Sequence, residues 1–135
     1  MLAETVVLAL PTTDRVRAHA YWGAAGLGLD TPGDPADDGV PEPLRVVLNP
    51  GLTLVLVPTD GFRWVVAGRD VAEADVVECQ LSVAVDSPAE VDALVERARA
   101  AGAEVAAEPE QQPWGYAATV ADPDGHLMTV LVPAP

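Results

Sequence analysis

Short apolar blocks, separated by polar segments rich in proline and glycine, predict most of the elements of this chain. Thr5 to Leu10 reads as a strand. From Asp14 to Ala25, Ala18, Tyr21, Trp22 and Ala25 recur at helical spacing until Gly26 stops the helix. Between Leu29 and Pro43 four prolines and two glycines interrupt any periodicity, which predicts an exposed, mobile loop. Leu44 to Leu48 and Leu52 to Val57 then form two strands around Asn49-Pro50-Gly51, where proline presets one φ and glycine supplies a positive one. Thr59 to Asp75 is less regular and reads as a connector.

The pattern then starts again. Val76 to Val85 reads as a strand and Pro88 to Ala101 as a helix with both ends marked. Ser87 stands at the N-cap, Pro88 at N1 and Glu90 at N3, which makes a capping box, and Gly102 follows at C′. The apolar stripe Val91, Leu94, Val95, Ala98 and Ala101 should lie on a sheet. Strands near Glu104 to Ala106, Tyr116 to Ala121 and Leu127 to Val132 close the chain, the last two as a hairpin over Asp122-Pro123-Asp124-Gly125. The order strand, helix, strands thus occurs twice at an offset of about 75 residues, with Val57-Pro58 answering Val132-Pro133 and Gly26 answering Gly102. A single helix per module leaves one sheet face bare, and two bare faces turned toward each other would create a cleft.

Composition excludes several classes. At 135 residues the chain makes about one domain. Twenty-one acidic residues face seven cations, all of them Arg, and the net charge of −14 opposes nucleic acid as a partner. A chain 50% hydrophobic and 21% charged is also too apolar to be disordered. The single cysteine, Cys79, allows no internal disulfide and belongs to no zinc-type cluster, so it is expected as a small buried hydrophobe. Glu4 stands where an export signal needs Lys or Arg, and the apolar run Val6 to Leu10 is far too short to span a membrane. The expectation is therefore a cytoplasmic protein with no membrane partner.

The stretch from Ser82 through Ser87-Pro88-Ala89-Glu90-Val91-Asp92-Ala93-Leu94 and Ala100-Ala101-Gly102 to Trp114-Gly115-Tyr116 and Asp122-Pro123-Asp124-Gly125-His126 resembles the C-terminal module of the vicinal oxygen chelate superfamily, also called the glyoxalase/bleomycin resistance protein/dioxygenase family. Asp14, Tyr21-Trp22 and Gly26-Leu27 match its first module more loosely. The resemblance implies an α+β fold of two βαβββ modules forming a cup-shaped mixed sheet, usually as a homodimer. The whole chain, 1–135, would be one such domain, with module one at about 1–60, a connector at 61–75 and module two at about 76–135. It also implies four metal ligands on the strands lining the cup. Seven residues before Asp14 lies Val7, seven before Ser87 lies Gln80, three after His126 lies Thr129, and the module offset then gives Leu54.

Those four residues do not suit a divalent cation. Val7 and Leu54 carry no donor, Gln80 and Thr129 carry only neutral ones, and a shift of two residues along the strands, to Thr5, Glu78 or Ser82, adds at most one carboxylate. No metal and no other cofactor is expected, and the reading leans away from an enzyme. His126 reads as a hairpin residue and His19 as a half-buried packing residue. No nucleophile elbow or phosphate-binding glycine loop is present.

What remains is a pocket. Strand alternation points Thr5, Val7 and Ala9 with Leu52, Leu54 and Leu56 inward in one module, and Gln80, Ser82 and Ala84 with Leu127, Thr129 and Leu131 in the other. Phe62, Trp64, Trp114 and Tyr116 fall at the expected rim, where flat rings would stack on a planar or cationic ligand. The functional expectation is a metal-free small-molecule binding protein, with antibiotic sequestration of the bleomycin-resistance type as the form the resemblance implies. Gln80, Ser82 and Thr129 would hydrogen-bond the ligand, with Val7 and Leu54 as its apolar wall. The alternative is a metal-dependent glyoxalase-like lyase, isomerase or dioxygenase whose ligands lie elsewhere.

Overall fold

Asp14 begins the first helix for a local reason: its side chain accepts a hydrogen bond from Arg17 N, satisfying one of the N–H groups that a helix start leaves unpaired. In the computed structural model, which describes residues 4–135, this helix is one of three among seven strands. The order is β1 (Val6–Thr12), α1 (Arg15–Trp22), β2 (Leu44–Asn49), β3 (Leu52–Pro58), α2 (Thr59–Val65), β4 (Leu81–Ala84), α3 (Pro88–Ala100), β5 (Glu104–Gln112), β6 (Gly115–Ala121) and β7 (Leu127–Pro133). The result is a mixed α+β architecture with two sheets, divided between the units Met1–Val71 and Ala72–Pro135. No helix among the described residues is long and apolar enough to cross a membrane.

The first unit has a three-stranded sheet in the order β1-β3-β2, with β1 parallel and β2 antiparallel to β3. Ala18, Tyr21 and Trp22 of α1 are buried, as are Leu10, Leu44, Val46, Leu54 and Leu56 of the sheet. The rings of Tyr21 and Trp22 meet edge to face at 5.0 Å. The helix stops at Trp22, three residues before the predicted end, because Gly23 caps it and the chain folds back through Leu27 N to Tyr21 O.

Two segments of this unit differ from expectation. Apart from a single bridge of Asp30 to Val47 of β2, residues 29–43 add no strand to the sheet, since their prolines lack the N–H a ladder needs, but they are held rather than loose. Arg15 of α1 reaches Asp38 at 3.2 Å and Glu42 at 2.7 Å and donates to the carbonyls of Val40 and Pro41. Val40 is buried. The N–H of Val40 and the Arg15 guanidinium together hold the Asp38 carboxyl below the usual range. The connector begins with a helix, α2, which Gly61 and the absence of an apolar stripe obscure in the sequence, although Pro58-Thr59-Asp60 is an acceptable helix start.

In the second unit the sheet order is β4-β7-β6-β5, with β4 parallel to β7 and the other pairs antiparallel. The capping box at α3 forms as expected: Ser87 accepts from Glu90 N while the Glu90 carboxylate accepts from Ser87 N. Val91, Val95 and Ala98 are buried, whereas Leu94 and Ala101 at the flanks of the stripe are half-buried. Gly102 takes φ +84, the left-handed C′ geometry. Strand β4 is shorter than predicted because its partner begins only at Leu127, so that Leu81 pairs with Met128 and Val76 to Gln80 stay outside the ladder. Cys79 falls in that unpaired stretch and is exposed, contrary to its expected burial.

Candidate functional site

The open face of the second sheet carries the site. Its register puts Ser82, Thr129 and Thr119 abreast on β4, β7 and β6, with Ala84, Leu131 and Ala117 one repeat along on the same face. The intervening positions Val83, Val130, Ala118 and Val120 face α3 instead. Strand β5, at the edge, shifts register twice, between Val105 and Ala107 and between Ala107 and Glu110, and such bulges bend a strand. Pro109 is tolerated there because an edge strand has N–H groups that need no ladder partner. The bent strand walls a concavity of about 500 Å³, within the range of small-molecule sites.

Its floor is neutral and hydrogen-bonding. Thr119 Oγ1 and Thr129 Oγ1 lie 2.9 Å apart across the β6–β7 pair. Gln80 Nε2 donates to Ser82 Oγ at 2.9 Å, which orients the amide. The wall adds Glu108, Pro109, Glu110 and Gln112 from β5, and at the mouth stands Trp114, with 61% of its surface exposed. Gln80, Ser82, Thr129 and Trp114 thus meet around one concavity. Thr119, Glu110 and Gln112 were not singled out from the sequence; β6 alternation alone would have found Thr119, but the β5 bulges hide the facing of the other two.

The five other expected site residues are Tyr116 of this unit and Val7, Leu54, Phe62 and Trp64 of the first, and none of them is a lining residue of the concavity. Tyr116 points to the helix side, where its hydroxyl donates to Asp92 Oδ1 of α3 at 2.7 Å. A stacking role is therefore corrected to a helix–sheet tie, since β6 alternation sends Tyr116 opposite to Ala117 and Thr119. Leu54 is fully buried beneath α1, in register with Leu8 and Val46. Val7 is in register with Thr53, so Val7 and Leu54 occupy opposite faces; the residue of β3 on the Val7 face next along is Val55. The expected inward set of the first module is corrected accordingly, and Leu52 and Leu56 turn with Leu54. Phe62 and Trp64 belong to α2 of the first unit, Phe62 half-buried and Trp64 85% exposed.

The hydrogen bond from Tyr116 holds its phenol above the ordinary value of about 10, with burial and the Asp92 charge adding in the same direction. Because folding favours the neutral phenol, this contribution is present below the unfolded value and is lost as pH rises through the folded one. Asp92→Asn should bring the tyrosinate absorbance transition of Tyr116 back toward an ordinary midpoint; an unchanged midpoint would show that the bond does not persist in solution.

The donors on these faces do not suit a divalent cation. Gln80 and Thr129 are neutral and engaged with Ser82 and Thr119, Val7 and Val55 are hydrocarbon, and Leu54 is in the core. Among the described residues no group of three or more His, Cys, Asp and Glu side chains converges in a metal-binding arrangement. His19 Nε2 lies 3.2 Å from Thr31 Oγ1, and His126 N donates to Asp122 Oδ1 within the hairpin turn.

Comparison with known proteins gives a consistent picture. A family model described as the Glyoxalase/Bleomycin resistance protein/Dioxygenase superfamily matches residues 6–130. Among solved structures, a glyoxalase-related enzyme from Fulvimarina pelagi is 26% identical with a TM-score of 0.78, over 97% of this chain and 88% of that one. The hypothetical protein SA1046 from S. aureus is 24% identical with a TM-score of 0.80, over 98% and 95% of the two chains. TnmS3, an antibiotic binding protein from Streptomyces sp. CB03234, is 24% identical with a TM-score of 0.66, over 98% of both. A search of curated proteins finds no match.

Proposed function

Because the chain belongs to the glyoxalase/bleomycin resistance protein/dioxygenase superfamily, whose members fold alike around different chemistries, we propose from its own side chains that it binds a planar small molecule without a metal and without transforming it. The observation that carries this reading is the neutral floor. Gln80, Ser82, Thr119 and Thr129 can donate and accept hydrogen bonds, yet none is an acid, a base or a charged metal ligand. Trp114 offers a ring face at the mouth for stacking. The likeness to an antibiotic binding protein supports sequestration of an antibiotic as the form this takes. The same reading includes a homodimer, which sedimentation equilibrium reads directly.

The test is a fluorescence titration with a panel of polycyclic aromatic antibiotics, in Trp64→Phe protein so that Trp114 is the exposed reporter. Saturable quenching is expected, unchanged by Mg²⁺, Mn²⁺, Ni²⁺ or Zn²⁺. Read by isothermal titration calorimetry, Trp114→Ala should weaken binding about three- to tenfold, the range of an aromatic contact beyond its area, and Trp114→Phe should restore most of it. Absence of binding across the panel, or a stoichiometric metal whose removal abolishes turnover of a substrate, would overturn the proposal.

A further inference from the structure

The two carboxylates in the wall of the concavity are not equivalent. Glu108 is bound by Arg99 of α3 through both its oxygens, at 2.9 and 3.0 Å, and Arg99 is also 3.4 Å from Glu96. The guanidinium is committed to that network, and the Glu108 carboxylate raises its affinity for the proton further. Glu110, two residues along the bulged strand and in register with Ala117, has no ion-pair partner among the described residues. It lines the same concavity as Trp114, and none of the residues lining it is Arg or His. The surrounding unit intensifies this asymmetry: residues 72–135 carry twelve acids and two Arg, both on α3. Such a field raises the local concentration of cations and disfavours anions.

We propose that the ligand of this concavity carries a cationic nitrogen beside its planar ring system, and that Glu110 is the residue that selects for it. The inference rests on the binding function proposed above and adds the charge class and its determinant. Glu110 supplies the counter-charge, and Trp114 the ring face over which a delocalised or ammonium cation is held. Glu108 cannot substitute, because its charge is already met by Arg99.

Paired probes of one shape test it. 9-Aminoacridine is protonated at mildly alkaline pH, whereas acridine is neutral there. Wild-type protein should bind the cation roughly tenfold more tightly, the combined range of a cation–π contact and a partly solvated ion pair, and the preference should shrink as salt is raised. Glu110→Gln should remove most of the preference, with a loss of affinity several-fold larger for 9-aminoacridine than for acridine. Glu104→Gln makes the same change of charge on the same strand outside the concavity and should leave the preference intact. Equal losses in the two variants would assign the preference to the general field and overturn the role of Glu110. Acridine binding with no preference for the cation would overturn this inference alone, and binding of neither probe would overturn it together with the site on which it rests.

Discussion

Leu54→Asp is expected to leave the chain unfolded at room temperature, while Val7→Asp, on the neighbouring strand, is expected to fold. Leu54 has no exposed surface and sits between Leu8 and Val46 on the face that α1 covers with Ala18 and Trp22. Removing a buried leucine side chain costs about 2–5 kcal/mol through lost transfer energy and the cavity left behind. A carboxylate in that position must also either lose its hydration or take up a proton, which adds several kcal/mol more. Together these approach the whole stability of a domain, about 5–15 kcal/mol. Val7 is 58% exposed and lies on the other face of β1, so a carboxylate there keeps its water and should change stability by about 1 kcal/mol or less. Circular dichroism with urea titration separates the two. Equal damage from both substitutions would mean that Val7 and Leu54 share a buried face after all.

Gly115→Ala is expected to lose about 3 kcal/mol or more and to carry the candidate site with it. Gly115 has φ +140, a region that side chains with a Cβ rarely occupy, at a cost of about 1–3 kcal/mol. An added Cβ would also stand 2.1 Å from the Val132 carbonyl oxygen, part of the β7 backbone and unable to swing aside. The β6–β7 pairing at Gly115 and Pro133 would have to open, and Trp114, one residue before, would move with it. Gly102→Ala is the comparison: φ is +84, but nothing lies within 4 Å of the added Cβ, so only the backbone cost of about 1 kcal/mol applies. If the two variants melt alike, the close approach of β6 to β7 at Gly115 is not present in solution. Loss of ligand-dependent Trp114 fluorescence should accompany the Gly115 change even in molecules that remain folded.

The elements most faithfully legible in the sequence are those with local causes. Ser87, Pro88, Glu90 and Gly102 settle both ends of α3 because caps form between residues a few positions apart, and the Asp122 to Gly125 turn sets its hairpin for the same reason. The open face of the second unit was legible too, since Ser82, Ala84, Thr129 and Leu131 follow strict alternation on strands that pair without a bulge. Glu110 was not, because two register shifts in β5 break the alternation that would have placed it.

The facing of β3 marks the limit of sequence patterning most clearly. Leu52 to Val57 is apolar at nearly every position, so the sequence itself does not say which residues turn toward the helix. Parallel pairing with β1, more than forty residues earlier, decides it by matching Leu54 to Leu8 and Thr53 to Val7. A slip of one residue would have reversed every side chain. Likewise, Cys79 is exposed because β7 offers its strand no partner before Leu127, and Tyr116 ties sheet to helix because Asp92 arrives from another element. Composition and local chemistry determined an acidic chain that repeats strand, helix and strands, with one helix marked at both ends, and the resemblance to a family added a neutral set of residues where metal ligands would stand. Tertiary structure decided which of those residues meet, because face and register are properties of pairs of strands and not of either one.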